Sequence, residues 1–192
     1  MVDEDAAARS CIYGLIACLL LRPGQAPLAW LSSLDPFPDA HDPLALTWAG
    51  LVSASRGDPE ALRSAHAALF IAPGTPPINP YASWYVDGAL MNTSLAVLRH
   101  DLRVLGLQRA PAAAEAEDHL GALCEAMQQL IARSEPLPTQ ERFLRTHVLP
   151  WAARCLADIA AHPSAGFYAA TAAFATAFLA SEEEALLEGE AS

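Results

Sequence analysis

The sequence has no CxxC pair, no phosphate-binding glycine loop and no HExxH, and charged residues make up only 17% of it. Each absence removes a class of chemistry. Neither GxxxxGK[ST] nor GxGxxG occurs, so no glycine cradle is available for a nucleotide's phosphates. GxSxG is missing too, which excludes a nucleophile elbow. The residues three before His100, His119, His147 and His162 are Val97, Ala116, Leu144 and Ile159, so the ExxH pairs of a di-iron bundle are lacking. No metal and no other cofactor is expected. Four cysteines (Cys11, Cys18, Cys124, Cys155) are scattered without ligand spacing. They read as small buried hydrophobes, Cys11 and Cys18 sharing the buried face of the first helix, and a reducing, cytoplasmic compartment is the expected home. Met1-Val2-Asp3-Glu4-Asp5 is acidic where a secretory signal is basic. The longest uncharged run, between His162 and Glu182, contains Pro163 and Gly166 and is diluted by Ala and Thr. It reads as a core helix, and no membrane insertion is expected.

What the chain does contain is helix former. Hydrophobic residues reach 53%, alanine and leucine dominate, and long β-branched runs are absent. The fold class predicted is all-α: a single compact helical domain over 1–192, with no internal repeat and no dividing linker. Twenty-two acidic residues face eleven basic ones, a net −11. That field repels phosphate backbones, so nucleic acid is not an expected partner, and it attracts a cationic one. The same charge also keeps an apolar-rich chain soluble.

Punctuation by Pro, Gly and capping residues divides the chain. A first helix is predicted over 4–21, with Ile12, Leu15, Ile16, Leu19 and Leu20 as its stripe and Pro23-Gly24 as its stop. A connection studded with Pro27, Pro36, Pro38 and Pro43 is interrupted by a short apolar piece, Leu28–Leu34. A helix follows over 43–55. Asp58-Pro59-Glu60 starts another, with Asp58 as N-cap, ending before Ala72-Pro73-Gly74. Thr93 caps a helix to Leu105 with Gly106 at its end, and Pro111 opens one through Ala132. Thr139 caps the next, Pro150 forces a restart before Trp151, and a last helix covers 165–187 with Phe167, Phe174, Phe178 and Leu179 inward.

Two stretches carry the functional signal. Pro80-Tyr81-Ala82-Ser83-Trp84-Tyr85 reads as an aromatic, proline-opened turn. Glu115-Ala116-Glu117-Asp118-His119-Leu120 puts positions 115, 118 and 119 on one side of the predicted helix. Together they suggest the rim and floor of a peptide-binding groove, Asp118 and His119 holding a ligand's donors. The alternative is that Glu115, Glu117 and Asp118 complement the helix dipole, His119 lies at the surface, and Trp84 and Tyr85 only pack.

The same residues resemble the TorD/DmsD/NarJ family of redox-enzyme maturation chaperones, TorD/DmsD branch. Residues 9–23 resemble the family's first helix. Leu69-Phe70 through Tyr85 resembles its proline loop and Tyr-Glu-Ser-x-Tyr segment, with Ala82 where Glu is common. Glu115–Leu120 matches its E-x-x-D-H signature, and His147-Val148-Leu149-Pro150-Trp151 and Gly166-Phe167-Tyr168 resemble two later landmarks. The resemblance implies a cytoplasmic chaperone, not an enzyme. Its implied partner is the catalytic-subunit precursor of a molybdenum-cofactor oxidoreductase of the DMSO-reductase type, bound through its twin-arginine leader. Leader binding is carried onto Tyr81, Trp84, Tyr85, Asp118 and His119; Ser83 and Glu115, from the same two stretches, complete the candidate set. A monomer or a domain-swapped homodimer is compatible with the proline-bearing connections. Two rival readings remain: a nucleotide-binding or hydrolytic enzyme using Asp118 and His119 as acid and base, and a purely structural helical subunit.

Overall fold

The computed structural model describes residues 4–35, 42–71, 75–111 and 113–189, the last four as backbone only. Pro36, Pro38, the Ala72-Pro73-Gly74 stop and the acidic Met1-Val2-Asp3 lie outside the described residues. Those described are all-α. In order come α1 (Glu4–Leu21), α2 (Gln25–Ser33), α3 (Pro43–Ser55), α4 (Pro59–His66), a π-helical turn (Ala67–Ile71), α5 (Ala82–Asp87), α6 (Thr93–Val104), α7 (Leu120–Ala132), α8 (Leu137–His147), α9 (Leu149–Ala161) and α10 (Phe167–Gly189). No helix among the described residues is long and apolar enough to cross a membrane.

The chain divides into two compact units, each assembled from two separated stretches. The first comprises Met1–Arg22 and Asn79–Arg154, and the second Pro23–Ile78 and Cys155–Ser192. Within the first, α1 packs along α7. Ile16, Leu19 and Leu20 on one helix and Leu123, Met127 and Leu130 on the other are buried. The approach is tight at Gly14, where a Cβ would collide with Gln128 Nε2, and at Gly121, where one would fall 2.7 Å from Leu21 Cγ and 3.3 Å from the Ala17 carbonyl oxygen. α6 ends in a left-handed Gly106 (φ 66°). Leu107 donates its N–H back to the Leu102 carbonyl at 2.8 Å, and both leucines are buried, the hydrophobic closure that accompanies such a cap.

In the second unit, α3 packs on α10, with α2 against α3 and α4 against α10. Asp42 and Asp58 accept from the first free amides of α3 and α4, with Pro43 and Pro59 opening those helices. Trp48 meets Phe174 at 5.3 Å between ring centroids, and His66, Phe70 and Tyr168 form a mutual ring cluster.

Several expectations need correction. Leu28–Leu34 lies mostly in a helix, α2, because Pro27 sits in its first turn, where a missing N–H costs nothing. The helix from Pro59 gives way at His66 to the π-helical turn. Asn92, not Thr93, caps α6: its Oδ1 accepts the Thr93 amide at 2.8 Å. α8 begins at Leu137 rather than after Thr139, with Pro138 in its first turn. Cys124 and Cys155 are buried as expected, and burial pushes the Cys124 thiol up to about 12. Cys11 is exposed and Cys18 only half-buried. Their seven-residue spacing does keep them on one side of α1, but the buried side is centred on Tyr13, Ile16, Leu19 and Leu20.

Candidate functional site

Residues 111 and 113–118 are not helical, which overturns the picture of Glu115, Asp118 and His119 on one helix face. α7 starts only at Leu120. Arg109 braces the segment in this path. Its Nε donates to the Glu115 carbonyl at 2.9 Å and its Nη2 to the Ala113 carbonyl. A helix would have given those two carbonyls to the amides four residues on. Nor is 80–85 a turn: Tyr81 is extended and Ala82–Asp87 form α5.

The two stretches nevertheless meet, within the first unit. Tyr81 and His119 form an isolated antiparallel bridge. Leu120 donates its N–H to the Pro80 carbonyl at 2.8 Å, and Ala82 donates to the Asp118 carbonyl at 2.9 Å. The Asp118 carboxylate completes the join. Its Oδ2 accepts from the Ser83 amide at 3.0 Å and from the Ser83 hydroxyl at 2.6 Å. Ser83 Oγ in turn accepts the Met91 amide at 3.1 Å, which holds Met91 in a left-handed conformation (φ 57°). Asp118 is 1% exposed and Ser83 0%. A carboxylate so buried is tolerable only because donors converge on it.

His119 is buried as well, neither at the surface nor in open solvent. It is the N-cap of α7: Nδ1 accepts the Gly121 amide at 3.0 Å, which puts the ring proton on Nε2. An imidazole thus does the work usually given to Asp or Ser. The Tyr81 ring meets it edge-on at 5.1 Å. Tyr81 donates its hydroxyl to Glu115 Oε2, and burial, reinforced by that carboxylate, raises the phenol well above its ordinary value. Burial would push Glu117 up, but a two-pronged contact with Arg99 (3.0 and 2.8 Å) outweighs it and leaves Glu117 below the ordinary carboxylate value.

Trp84 and Tyr85 part company. Tyr85 is half-buried, stacked on Trp151 at 5.6 Å, with the Arg154 guanidinium 5.8 Å from its centroid and donating to its carbonyl at 2.7 Å. Trp151 donates its indole N–H to the His147 carbonyl, and His147 Nε2 lies 2.9 Å from Asp101 Oδ2. The His-x-x-x-Trp landmark is therefore the buttress behind Tyr85. Trp84 is 42% exposed. Val86, Leu90 and Met91 are exposed too, four large apolar side chains within eight residues. The aromatic stretch pointed to this region but not to Leu90 and Met91. Arg109 and Asn92 were missed as well: neither carries a spacing signal, since each acts through local hydrogen bonds of its side chain.

Along the exposed face of α7 lies a cleft of two lobes, about 400 and 440 Å³, both lined by Glu115, Ala122 and Glu125. Glu115 thus joins the Tyr81 corner to this cleft.

The chain belongs to the TorD/DmsD-like family: the family model described as nitrate reductase delta subunit matches residues 38–157. It is similar to chaperone protein TorD of Salmonella bongori, 26% identical over 167 residues, 85% of this chain and 78% of that protein. A TorD of Actinobacillus pleuropneumoniae serotype 3 is 31% identical over 103 residues, 53% of this chain and 52% of that one. The Tat proofreading chaperone DmsD of Salmonella typhimurium is 31% identical over 130 residues, 67% of this chain and 63% of that one. The chain thus spans about half of the second relative and under two thirds of the third.

Two outcomes follow. Ser83→Ala leaves the Asp118 carboxylate short of a donor and the Met91 amide without an acceptor, so urea unfolding should show a loss of about 2–3 kcal/mol. For His147, burial outweighs the Asp101 contact and depresses the ring below its ordinary 6.5. The unfolded chain then binds the proton more readily than the folded one. Stability is fully present above 6.5 and falls as pH drops from there through the folded value. An NMR titration should place the His147 midpoint below 6.5, with the urea midpoint declining over the same range.

Proposed function

We propose that this chain is a cytoplasmic, system-specific chaperone for a molybdenum-cofactor oxidoreductase of the DMSO-reductase type. It binds the twin-arginine leader of the catalytic-subunit precursor through its first unit and aids cofactor insertion before export. The observation that carries this reading is the exposed apolar set Trp84, Val86, Leu90 and Met91, held on a backbone fastened by Ser83 and Asp118 beside the acidic Glu115 corner. An extended chain with a cationic start and an apolar continuation complements both parts: burial of its apolar side chains, worth about 25 cal/mol per Å², drives binding, and charge sets register. The names of the relatives, chaperone and Tat proofreading chaperone, fall on the same side.

The chain performs no reaction in this reading. The acid and base that an enzyme would need, Asp118 and His119, are buried and committed to Ser83 and to the start of α7. Direct leader contact falls to Trp84, Tyr81 and Glu115. Ser83, Asp118, His119 and Tyr85 hold them in place.

Calorimetry with a synthetic twin-arginine leader and a scrambled peptide of the same composition tests the reading. The leader should bind and the scrambled peptide should bind at least tenfold more weakly. Trp84→Ala should cost about tenfold in affinity with an unchanged melting temperature, as for an exposed aromatic anchor. Equal binding of the two peptides would overturn it.

A further inference from the structure

Asp118 and His119 are buried and engaged with Ser83 and the start of α7, so in the leader-binding reading the counter-charge for a cationic leader is supplied elsewhere. We infer that the cleft along the exposed face of α7, lined by Glu115 and Glu125, receives an arginine side chain of an extended peptide. The inference rests on the leader-binding reading and assigns one arginine of the leader to this cleft.

The charges in the cleft are unequally engaged. Among its arginines, Arg109 turns its donors onto the carbonyls of Glu115 and Ala113, and Arg133 turns Nη1 onto the Gly106 carbonyl at 3.3 Å. Neither neutralises a carboxylate by direct contact. Glu117, at one lobe only, is already paired with Arg99. Glu125 is exposed and, among the described residues, has no hydrogen-bond or ion-pair partner. Glu115 gives one oxygen to the Tyr81 hydroxyl and keeps Oε1. Both glutamates line both lobes. The two carboxylates still able to accept therefore border one continuous lining.

The walls between them suit a guanidinium rather than a compact cation. Ala110, Ala113 and Ala122 line both lobes and offer short apolar surface to the methylene stem of an arginine. A planar fork of five donors can serve two carboxylates at once, and it sheds water more readily than an ammonium does. Arg22 in the second lobe and Arg109 and Arg133 in the first set a limit on how many cations fit, and each lobe keeps one more glutamate than arginine. Since Glu115 is also the partner of Tyr81, an arginine seated there is carried directly into the aromatic corner that meets the apolar part of the chain.

The test is a two-by-two titration by calorimetry: wild type and Glu125→Gln, each with the Arg-Arg leader and with a Gln-Gln leader. Glu125 is exposed on a helix, so Glu125→Gln should melt as wild type does. Affinity for the Arg-Arg leader should fall about tenfold in Glu125→Gln, while the Gln-Gln leader should bind both proteins equally weakly. Glu125→Lys should lose more than Glu125→Gln, and the wild-type advantage should shrink as salt rises. An unchanged affinity of Glu125→Gln for the Arg-Arg leader, or the same loss with both leaders, overturns the inference and leaves leader binding standing. A wild-type protein that binds neither leader overturns both.

Discussion

One buried carboxylate organises the first unit. Asp118 lies 35 positions along the chain from Ser83, and in water its charge would have no reason to leave solvent. Inside the fold it accepts both donors that Ser83 offers, while its own carbonyl takes the Ala82 amide and the next residues bridge to Pro80 and Tyr81. An unpaired carboxylate there would be prohibitively costly, so the arrangement is close to all-or-none. When the two stretches meet, the charge is satisfied; if they separate, it must go back to water. The consequence reaches outward through Ser83 Oγ to Met91, and through His119 to the first turn of α7 and its tight approach to α1 at Gly121.

This division of labour separates residues that a motif places side by side. In Glu115–Leu120, Asp118 and His119 face inward and fasten, while Glu115 reaches toward Tyr81 and the α7 cleft. In Tyr81–Tyr85, Ser83 fastens, Tyr85 rests on Trp151, and Trp84 is left to solvent. Recognition in the proposed role therefore belongs to the neighbours of the signature residues, and the signature residues keep those neighbours in register.

Local chemistry explains which parts of this were legible in the sequence. α1, α3 and the start of α4 announce themselves through apolar spacing and Asp-Pro starts, whereas the passage from α4 into the π-helical turn at Ala67 carries no such mark. The pairing of the two motif stretches was also readable as an expectation. The helix drawn from Pro111 was not: Arg109 donates to the Ala113 and Glu115 carbonyls of a non-helical segment, and a side-chain-to-backbone contact of that kind leaves no periodic trace. The depth of Asp118 was hidden for the same reason: an acidic residue in a polar run reads as surface until its partner 35 positions away is known. Cys11 shows the converse error, where spacing fixed a shared side of the helix but not which side is buried.

Amide hydrogen exchange across residues 80–83 and 118–121 bears most directly on the claim that the fastening of these two stretches carries the unit. The account predicts that the Ala82, Ser83 and Leu120 amides, each donating to a partner in the opposite stretch or to Asp118, are protected as strongly as the core amides of α7 and exchange together with them. Exchange of those three amides at the rate of an open loop, with α7 still protected, would contradict it.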